Sequence, residues 1–371
     1  MTATASRDVL APFECFLLTA PENAIDNFFS SWSPDLIMRL RQLNSNLFLG
    51  VETYMSRAWS IRRSMDRWFF HVGAFLRTLE ACDAIVAGCE AQQHLARHDL
   101  RGTDMDIYLP YHGLLKMGRW LKQQGFVYQA TEGKHAFFDA AVVILGSAAN
   151  GGAIGHGKSP NDVNSFTMFS FIRPQSDTLH TLGMDGSRIQ LYAVRGDPVQ
   201  FVIENLHTTG VMNYFSSKHA VSLFPRSTFL HRFIFICQDI AHDAFAHEIR
   251  KMKYEQRGFR IIGAVDDIPE TEEANKQNRK VGDRLTWVLP HARTIPSKRH
   301  PRIEDGFRFE VLPVYSGVTA AGASLRLAPR FICSSAALIA SGVDFGDYRS
   351  AEITAVFGGF TYLWQSDEED I

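Results

Sequence analysis

From Val51 to Phe69 the apolar residues Val51, Tyr54, Met55, Ala58, Trp59, Met65, Trp68 and Phe69 recur at helical spacing, with Arg57, Arg62, Arg63 and Arg67 largely between them. This predicts a helix with one buried stripe and a solvated basic face. A second periodic stretch, Leu36 to Leu47, with Ser33-Pro34-Asp35 as its cap, and a third at Phe75 to Cys82 make the N-terminal quarter helical. At Ala84 the pattern changes. Ala84-Ile85-Val86-Ala87 is a short apolar run that stops at Gly88, and helical spacing returns over Glu90 to Arg97, so strand, tight turn and helix are expected in succession. After the polar His98 to Thr103, Asp104-Met105-Asp106-Ile107-Tyr108-Leu109-Pro110 reads as a strand ended by proline. Leu114 to Gln124 then reads as an amphipathic helix closed by Gly125.

The Gly/Ser/Asn-rich tract Gly146 to Ser159 predicts a mobile loop, and strands are expected at Ser165 to Ile172 and Arg188 to Val194. Further on, Glu248 to Gln256 has helical spacing, Pro269 to Lys280 is a charged loop, and Arg308 to Tyr315 and Ile353 to Trp364 look like strands. The acidic tail Asp367 to Asp370 is expected to be disordered. No internal repeat is visible. The fold class is therefore α/β in the broad sense (α+β), a mixed sheet flanked by helices. Three regions follow: helical over 1–83, a core over 84–230, and an α+β extension over 231–371.

Composition narrows the functional classes. With 371 residues and 46% hydrophobic content, one or two domains are expected. Thirty-eight basic residues oppose 40 acidic ones, so no global field draws the chain to nucleic acid or an anionic membrane. Any anion must be held locally, and a nucleic-acid partner is not indicated by charge. No segment reaches the roughly 18 uninterrupted apolar residues of a membrane span. The N-terminal apolar stretch is short, contains Glu14 and lacks a basic flank, so no secretory signal is expected. The five cysteines are odd in number and form no C-x-x-C, which argues against a disulfide framework and a zinc site. A reducing compartment is expected, cytoplasmic or nuclear.

The chemistry concentrates in the strand–turn–helix and the Asp-x-Asp strand after it. Strand side chains alternate, so Asp104 and Asp106 share a face about 7 Å apart while Met105 and Ile107 point to the core. Two carboxylates on one face suit a hard cation, Mg2+ or Mn2+, which keeps places open for substrate phosphates. Gly88 permits close backbone approach, and the amides that begin the next helix favour a phosphate. Together they would clamp a triphosphate. Aspartates also flank strands simply to solubilise them, so the pair alone does not decide.

The arrangement Ala84-Ile85-Val86-Ala87-Gly88-Cys89-Glu90-Ala91 followed by Thr103-Asp104-Met105-Asp106-Ile107-Tyr108 resembles the nucleotidyltransferase superfamily of the polymerase-beta-like fold. It looks closest to a fungal group within it, through Arg188-Ile189-Gln190-Leu191, Leu206-His207-Thr208-Thr209-Gly210-Val211-Met212-Asn213 and Ser222-Leu223-Phe224-Pro225-Arg226, over roughly Leu36 to Phe229. The resemblance implies a nucleotidyltransferase-like core. It assigns Asp104 and Asp106 the metal and catalytic roles, and Gly88, Cys89 and Gln190 to the nucleotide site. It further implies transfer of a nucleotidyl group from a nucleoside triphosphate to an unknown acceptor. Two departures stand out. Cys89 replaces the family's serine, a better hydrogen-bond donor to phosphate, and Gln190 stands where a third carboxylate is expected. Gln190 favours an alternative, a degenerate member that binds nucleotide, RNA or a protein partner without turnover.

Two rival motifs rank lower. Gly152-Ala153-Ile154-Gly155-His156-Gly157-Lys158-Ser159 matches the phosphate-loop pattern letter for letter. Such a loop leaves a buried strand directly and enters a helix at its lysine, whereas here Pro160 follows and no apolar helical period continues. Phe233 to Ile236 with Asp239 is the weaker candidate for its acidic strand. A glycosyltransferase would place an apolar strand before its Asp-x-Asp, and here Arg101-Gly102-Thr103 precedes it. His207 and Asn213 lie one and a half turns apart if Thr208 to Phe215 is helical, and are read as satisfying buried backbone or bracing the site. His242 and His247 show no zinc spacing, and Trp59, Trp68 and Trp120 are read as core.

Overall fold

The computed structural model of the chain describes residues 10–97, 104–131, 133–149, 166–174, 187–235, 237, 252–262, 273, 278–291, 308–315 and 325–332. It opens with six helices, α1 Pro12–Thr19, α2 Glu22–Phe29, α3 Pro34–Leu40, α4 Ser45–Ala58, α5 Ile61–Met65 and α6 Val72–Ala81. Caps set their starts: Ser33 Oγ accepts from the Leu36 amide at 3.4 Å, and Asn44 Oδ1 from the Leu47 amide at 2.9 Å. The continuous helix expected from Val51 to Phe69 is thus broken, as is the stretch from Leu36 to Leu47. Trp59 ends α4 because its indole turns inward and donates to the Leu95 carbonyl at 3.0 Å, and Ser60 caps α5. Both helices still face one core, which is why the periodicity ran through the break.

The basic face divides in the same way. Arg62 and Arg63 are exposed as expected. Arg57 instead pairs with Asp26 at 3.1 Å, and Arg67 pairs with the buried Glu90 at 2.5 Å.

Next come β1 Ile85–Ala87, α7 Cys89–Ala96, β2 Met105–Pro110, α8 Tyr111–Gln123, β3 Val127–Gln129, α9 Phe138–Ala149, β4 Phe166–Ile172, β5 Arg188–Val194 and α10 Pro198–Asn205. A 3-10 turn Thr209–Val211, β6 Asn213–Phe215, β7 His219–Ser222, a π-turn Arg226–Leu230, β8 Phe233–Phe235, β9 Arg260–Ile262, β10 Asn278–Lys280, β11 Trp287–Pro290, β12 Arg308–Tyr315 and β13 Leu325–Ile332 complete the order. Eight strands form one mixed sheet, β11-β7-β6-β1-β2-β5-β4-β3, antiparallel except for the β2–β5 pair. Smaller sheets are β10-β12-β13 and β8-β9.

The strand period of two sorts the large sheet into two faces. Val86, Met105, Ile107, Leu109, Ile189, Leu191, Ala193, Phe215 and Ala220 pack on one side against the N-terminal helices, α8 and α9. Ile85, Ala87, Tyr108, Val194, Tyr214 and Val221 lie on the other, where Val199, Phe201, Val202 and Ile203 of α10 cover one end. The α+β class with a mixed sheet between helices is as expected.

Several details differ. Gly146 to Ala149 form the end of α9 rather than a loop, because the apolar run from Phe138 sustains the helix; the rest of the Gly-rich tract lies outside the described residues. Thr208 to Phe215 is a 3-10 turn and a strand, since Asn213 to Phe215 pair with β1 and β7. Asn278 to Lys280, expected in a loop, pair with β12. Of Glu248 to Gln256, the described part, 252–256, is helical. Ile353 to Trp364, the acidic tail and Asp239 lie outside the described residues. Among those residues no helix is long and apolar enough to cross a membrane.

α8 packs so closely that glycine is required. A Cβ on Gly113 would lie 2.5 Å from the Cys82 carbonyl oxygen, and one on Gly118 2.1 Å from the Phe138 ring. Gly113→Ala is therefore expected to destabilise the protein by about 1–3 kcal/mol, although alanine is better by about 1 kcal/mol in a free helix. Urea denaturation measures it, and unchanged or raised stability would contradict the packing.

Candidate functional site

β1 runs buried to Gly88, where the backbone turns with φ 78 and ψ −140, a region L side chains avoid. The Gly88 amide donates to the Asn213 carbonyl at 3.2 Å, which ties the turn to β6. α7 then begins, and the Gln92 amide donates back to the Gly88 carbonyl at 3.0 Å. This helix is polar yet largely buried. Arg67 holds it from α5's flank, donating to Glu90 and, at 3.2 Å, to Gln93 Oε1, while His94 Nδ1 meets Ser64 Oγ at 2.7 Å. The turn therefore sits on an anchored helix.

The register completes the site. Ala87 lies opposite Asp106 across β1–β2, and Asp106 opposite Gln190 across β2–β5. With Met105 and Ile107 fully buried on one face, Asp104 and Asp106 take the other. A Cβ on Gly88 would lie 3.4 Å from Asp106 Oδ2, so the glycine leaves the carboxylate room against the turn. Asp104 Oδ2 accepts from Gln190 Nε2 at 3.0 Å and lies 3.9 Å from Arg188 Nη1. Gln190 Oε1 accepts in turn from the Tyr192 hydroxyl at 2.6 Å, and the Tyr192 ring stacks on Tyr108 at 4.7 Å. An ionised carboxylate only accepts, so the amide must turn its NH2 to Asp104 and its oxygen to Tyr192.

Asp106 differs from its neighbour in environment. Burial, then the Asp104 charge, and more weakly Glu90, push its carboxyl up to about 7, against the opposing pull of Lys253. Among the described residues it accepts no hydrogen bond. Burial and the same two aspartates also raise the Tyr192 hydroxyl. A carboxylate pair under this strain suits a divalent cation. No group of three or more His, Cys, Asp and Glu converges among the described residues. Protein oxygens from Asp104 and Asp106 would then leave the remaining positions of a magnesium-like ion to water or phosphate, which is how that ion is commonly held.

The structure brings Gly88, Cys89, Asp104, Asp106 and Gln190 together, and adds two residues that were not foreseen. Arg257 Nη1 donates to Cys89 Sγ at 3.3 Å, and Lys253 is close enough to act on Asp106. They arrive on the segment 252–259, docked by buried Tyr254 and Phe259 against Val211 and Ile234. Its helical spacing was visible, but nothing local shows where it docks. His207 anchors it, Nε2 meeting the Tyr254 hydroxyl at 2.9 Å. Asn213 braces the turn through its backbone, and its Nδ2 donates to the Gly210 carbonyl at 2.8 Å.

Asp139 and Asp185 are the acids that would have to reach the place of Gln190 from a neighbouring segment to restore a third carboxylate; Asp139 is engaged elsewhere, with Arg119 at 3.0 Å. Trp59 and Trp68 are core, with Trp120 packed against it. Gly152 to Ser159, Asp185, His242 and His247 lie outside the described residues, and the element before that Gly-rich segment is the helix α9, not a strand. A hollow of about 220 Å3 between Met38, Phe229, Leu285 and Trp287 is mainly apolar and is lined by none of these site residues, so it is not the candidate. No family model matches the chain, and neither does any curated protein or solved structure.

A carboxyl raised from 3.8 to about 7 on folding favours the native state fully below about pH 4, and this contribution is lost as pH rises through 7. Asp106→Asn removes the group that must ionise. In the presence of a chelator the variant is expected to be more stable than the parent at pH 8, by on the order of 2 kcal/mol after screening. The difference should vanish towards pH 4. Urea denaturation across this range is the measurement, and a difference independent of pH would refute the environment assigned to Asp106.

Proposed function

We propose that this chain is a nucleotidyltransferase-like protein that binds a nucleoside triphosphate with one divalent cation, Mg2+ or Mn2+, held by Asp104 and Asp106. The observation that carries the reading is the juxtaposition of a strained acid pair with the glycine turn that opens α7: Asp106 Oδ2 lies against Gly88, and α7 points its N-terminal amides from the same turn. An ion at the acids would neutralise them and the phosphates together. The amides of Cys89 and its successors favour phosphate oxygens, and Gly88 admits them without a side chain in the way. The order of strand, glycine turn, helix and antiparallel Asp-x-Asp strand, with a parallel strand beside it, supports the resemblance found in the sequence.

Gln190 argues for binding over turnover. In two-metal phosphoryl transfer a third acid helps hold the ion that activates the attacking oxygen. Here the amide oxygen already accepts from Tyr192, and its NH2 faces Asp104. A degenerate binding protein, with nucleotide, RNA or another protein as partner, is therefore the second reading. Transfer to an acceptor would be slow in the parent.

Nucleotide with Mn2+ is expected to raise the melting temperature of the parent and to leave Asp104→Ala/Asp106→Ala unmoved, with the variant folded. In the parent background, Gln190→Glu is expected to increase Mn2+-dependent transfer of labelled nucleotide to protein, RNA or water, by on the order of a hundredfold, with nucleotide affinity little changed. Equal nucleotide stabilisation of the double variant and the parent would place the site elsewhere.

A further inference from the structure

Resting on that reading, we infer that Lys253 and Arg257 form the wall that takes the terminal phosphates, so that the site selects a nucleoside triphosphate over a monophosphate or a nucleotide sugar. Arg257 reaches the beginning of α7, its Nη1 donating to Cys89 Sγ at 3.3 Å. A sulfur is a weak acceptor and engages one of the five N–H donors of a guanidinium. The guanidinium also stands at the positive end of α7, where an anion is favoured. Among the described residues neither Arg257 nor Lys253 makes an ion pair with an acid. Both are met by the same thing, an anion seated between the guanidinium and the α7 amides.

The segment that carries the two cations is fixed. Tyr254 is buried and hydrogen-bonded to His207, the Phe259 amide donates to the Tyr254 carbonyl at 3.0 Å, and Gly258 ends the helical turn with φ 78. Met252 and Lys253 remain exposed. Lys253 precedes Arg257 by four residues on this helical segment, so the two cations are neighbours on its surface.

Carboxylates and cations thus meet around Gly88–Cys89, Asp106 against the glycine and Arg257 against the cysteine. That charge pattern matches a polyphosphate that carries its metal at one end and free terminal oxygens at the other. A guanidinium can grip a terminal phosphate by two parallel hydrogen bonds, which a point charge cannot. A monophosphate is too short to reach both sides, and a nucleotide sugar covers its terminal phosphate with a neutral ring.

Calorimetric titration of the full chain with ATP, ADP, AMP and a UDP-sugar, each with Mn2+, tests this. The parent is expected to prefer ATP over AMP by on the order of tenfold or more, with the UDP-sugar near AMP. Arg257→Gln and Lys253→Gln are each expected to lose ATP affinity by on the order of tenfold while AMP affinity stays within about twofold. Lys253 is exposed, so its variant reports even where Arg257→Gln disturbs folding. If the parent binds ATP and AMP alike, or the variants lose both equally, the phosphate wall is wrong while nucleotide binding stands. If the folded parent binds no nucleotide, the proposed function itself fails.

Discussion

The burial of Met105, Ile107 and Leu109 against the helical layer is the constraint from which the site follows. Once these three side chains are committed to the core, the period of two leaves Asp104, Asp106 and Tyr108 no choice of face. β2 is central, paired to β1 on one side and β5 on the other, so its register also aligns Gly88 and Gln190 with the acids. A slip of one residue would bury both carboxylates in hydrocarbon. The same apolar contacts that stabilise the sheet therefore hold two carboxyl groups side by side on its other face, both half-buried.

The glycine turn beside them is supported by buried polar contacts of the helix it opens. α7 buries Glu90, Gln92, Gln93 and His94, and Arg67 and Ser64 reach across from the N-terminal helices to satisfy part of the set. Burial keeps His94 neutral, its ring lowered to about 3. Breaking one partner of such a pair leaves a charge uncompensated, which is far more costly than the pair itself is stabilising. The helical region over 10–83 is thus more than a lid on the sheet. It fixes the helix that presents the glycine turn, and it does so through Arg67, one of the arginines that pattern alone assigns to solvent.

Much of the core was legible because its signals are local. The run Ile85-Val86-Ala87, the stop at Gly88, and the Asp-x-Asp strand depend on periodicity and turn chemistry within a few residues, and they appear where expected. The short strands Val127–Gln129, Asn213–Phe215 and His219–Ser222 carry too few residues to show alternation, and their pairing comes from distant partners. The breaks at Trp59 and Leu40 were hidden because both sides of each break face the same core. Lys253 and Arg257 illustrate the deepest limit: their role depends on where Tyr254 and Phe259 dock, more than 150 residues after Cys89, as the Arg257–Cys89 contact shows with a separation of 168. Gln190 was legible as a departure, but the orientation of its amide needed Tyr192 and Asp104 in place.

In the proposed function the two aspartates hold a single divalent ion beside phosphates at the Gly88 turn. A crystal of the full chain soaked with Mn2+ and a non-hydrolysable triphosphate, measured for anomalous scattering, addresses it directly. The account predicts one manganese peak, about 2.1–2.2 Å from an oxygen of each aspartate, with a phosphate against the first amides of α7. Nucleotide bound at Gly152 to Ser159, or manganese away from Asp104 and Asp106, would contradict it.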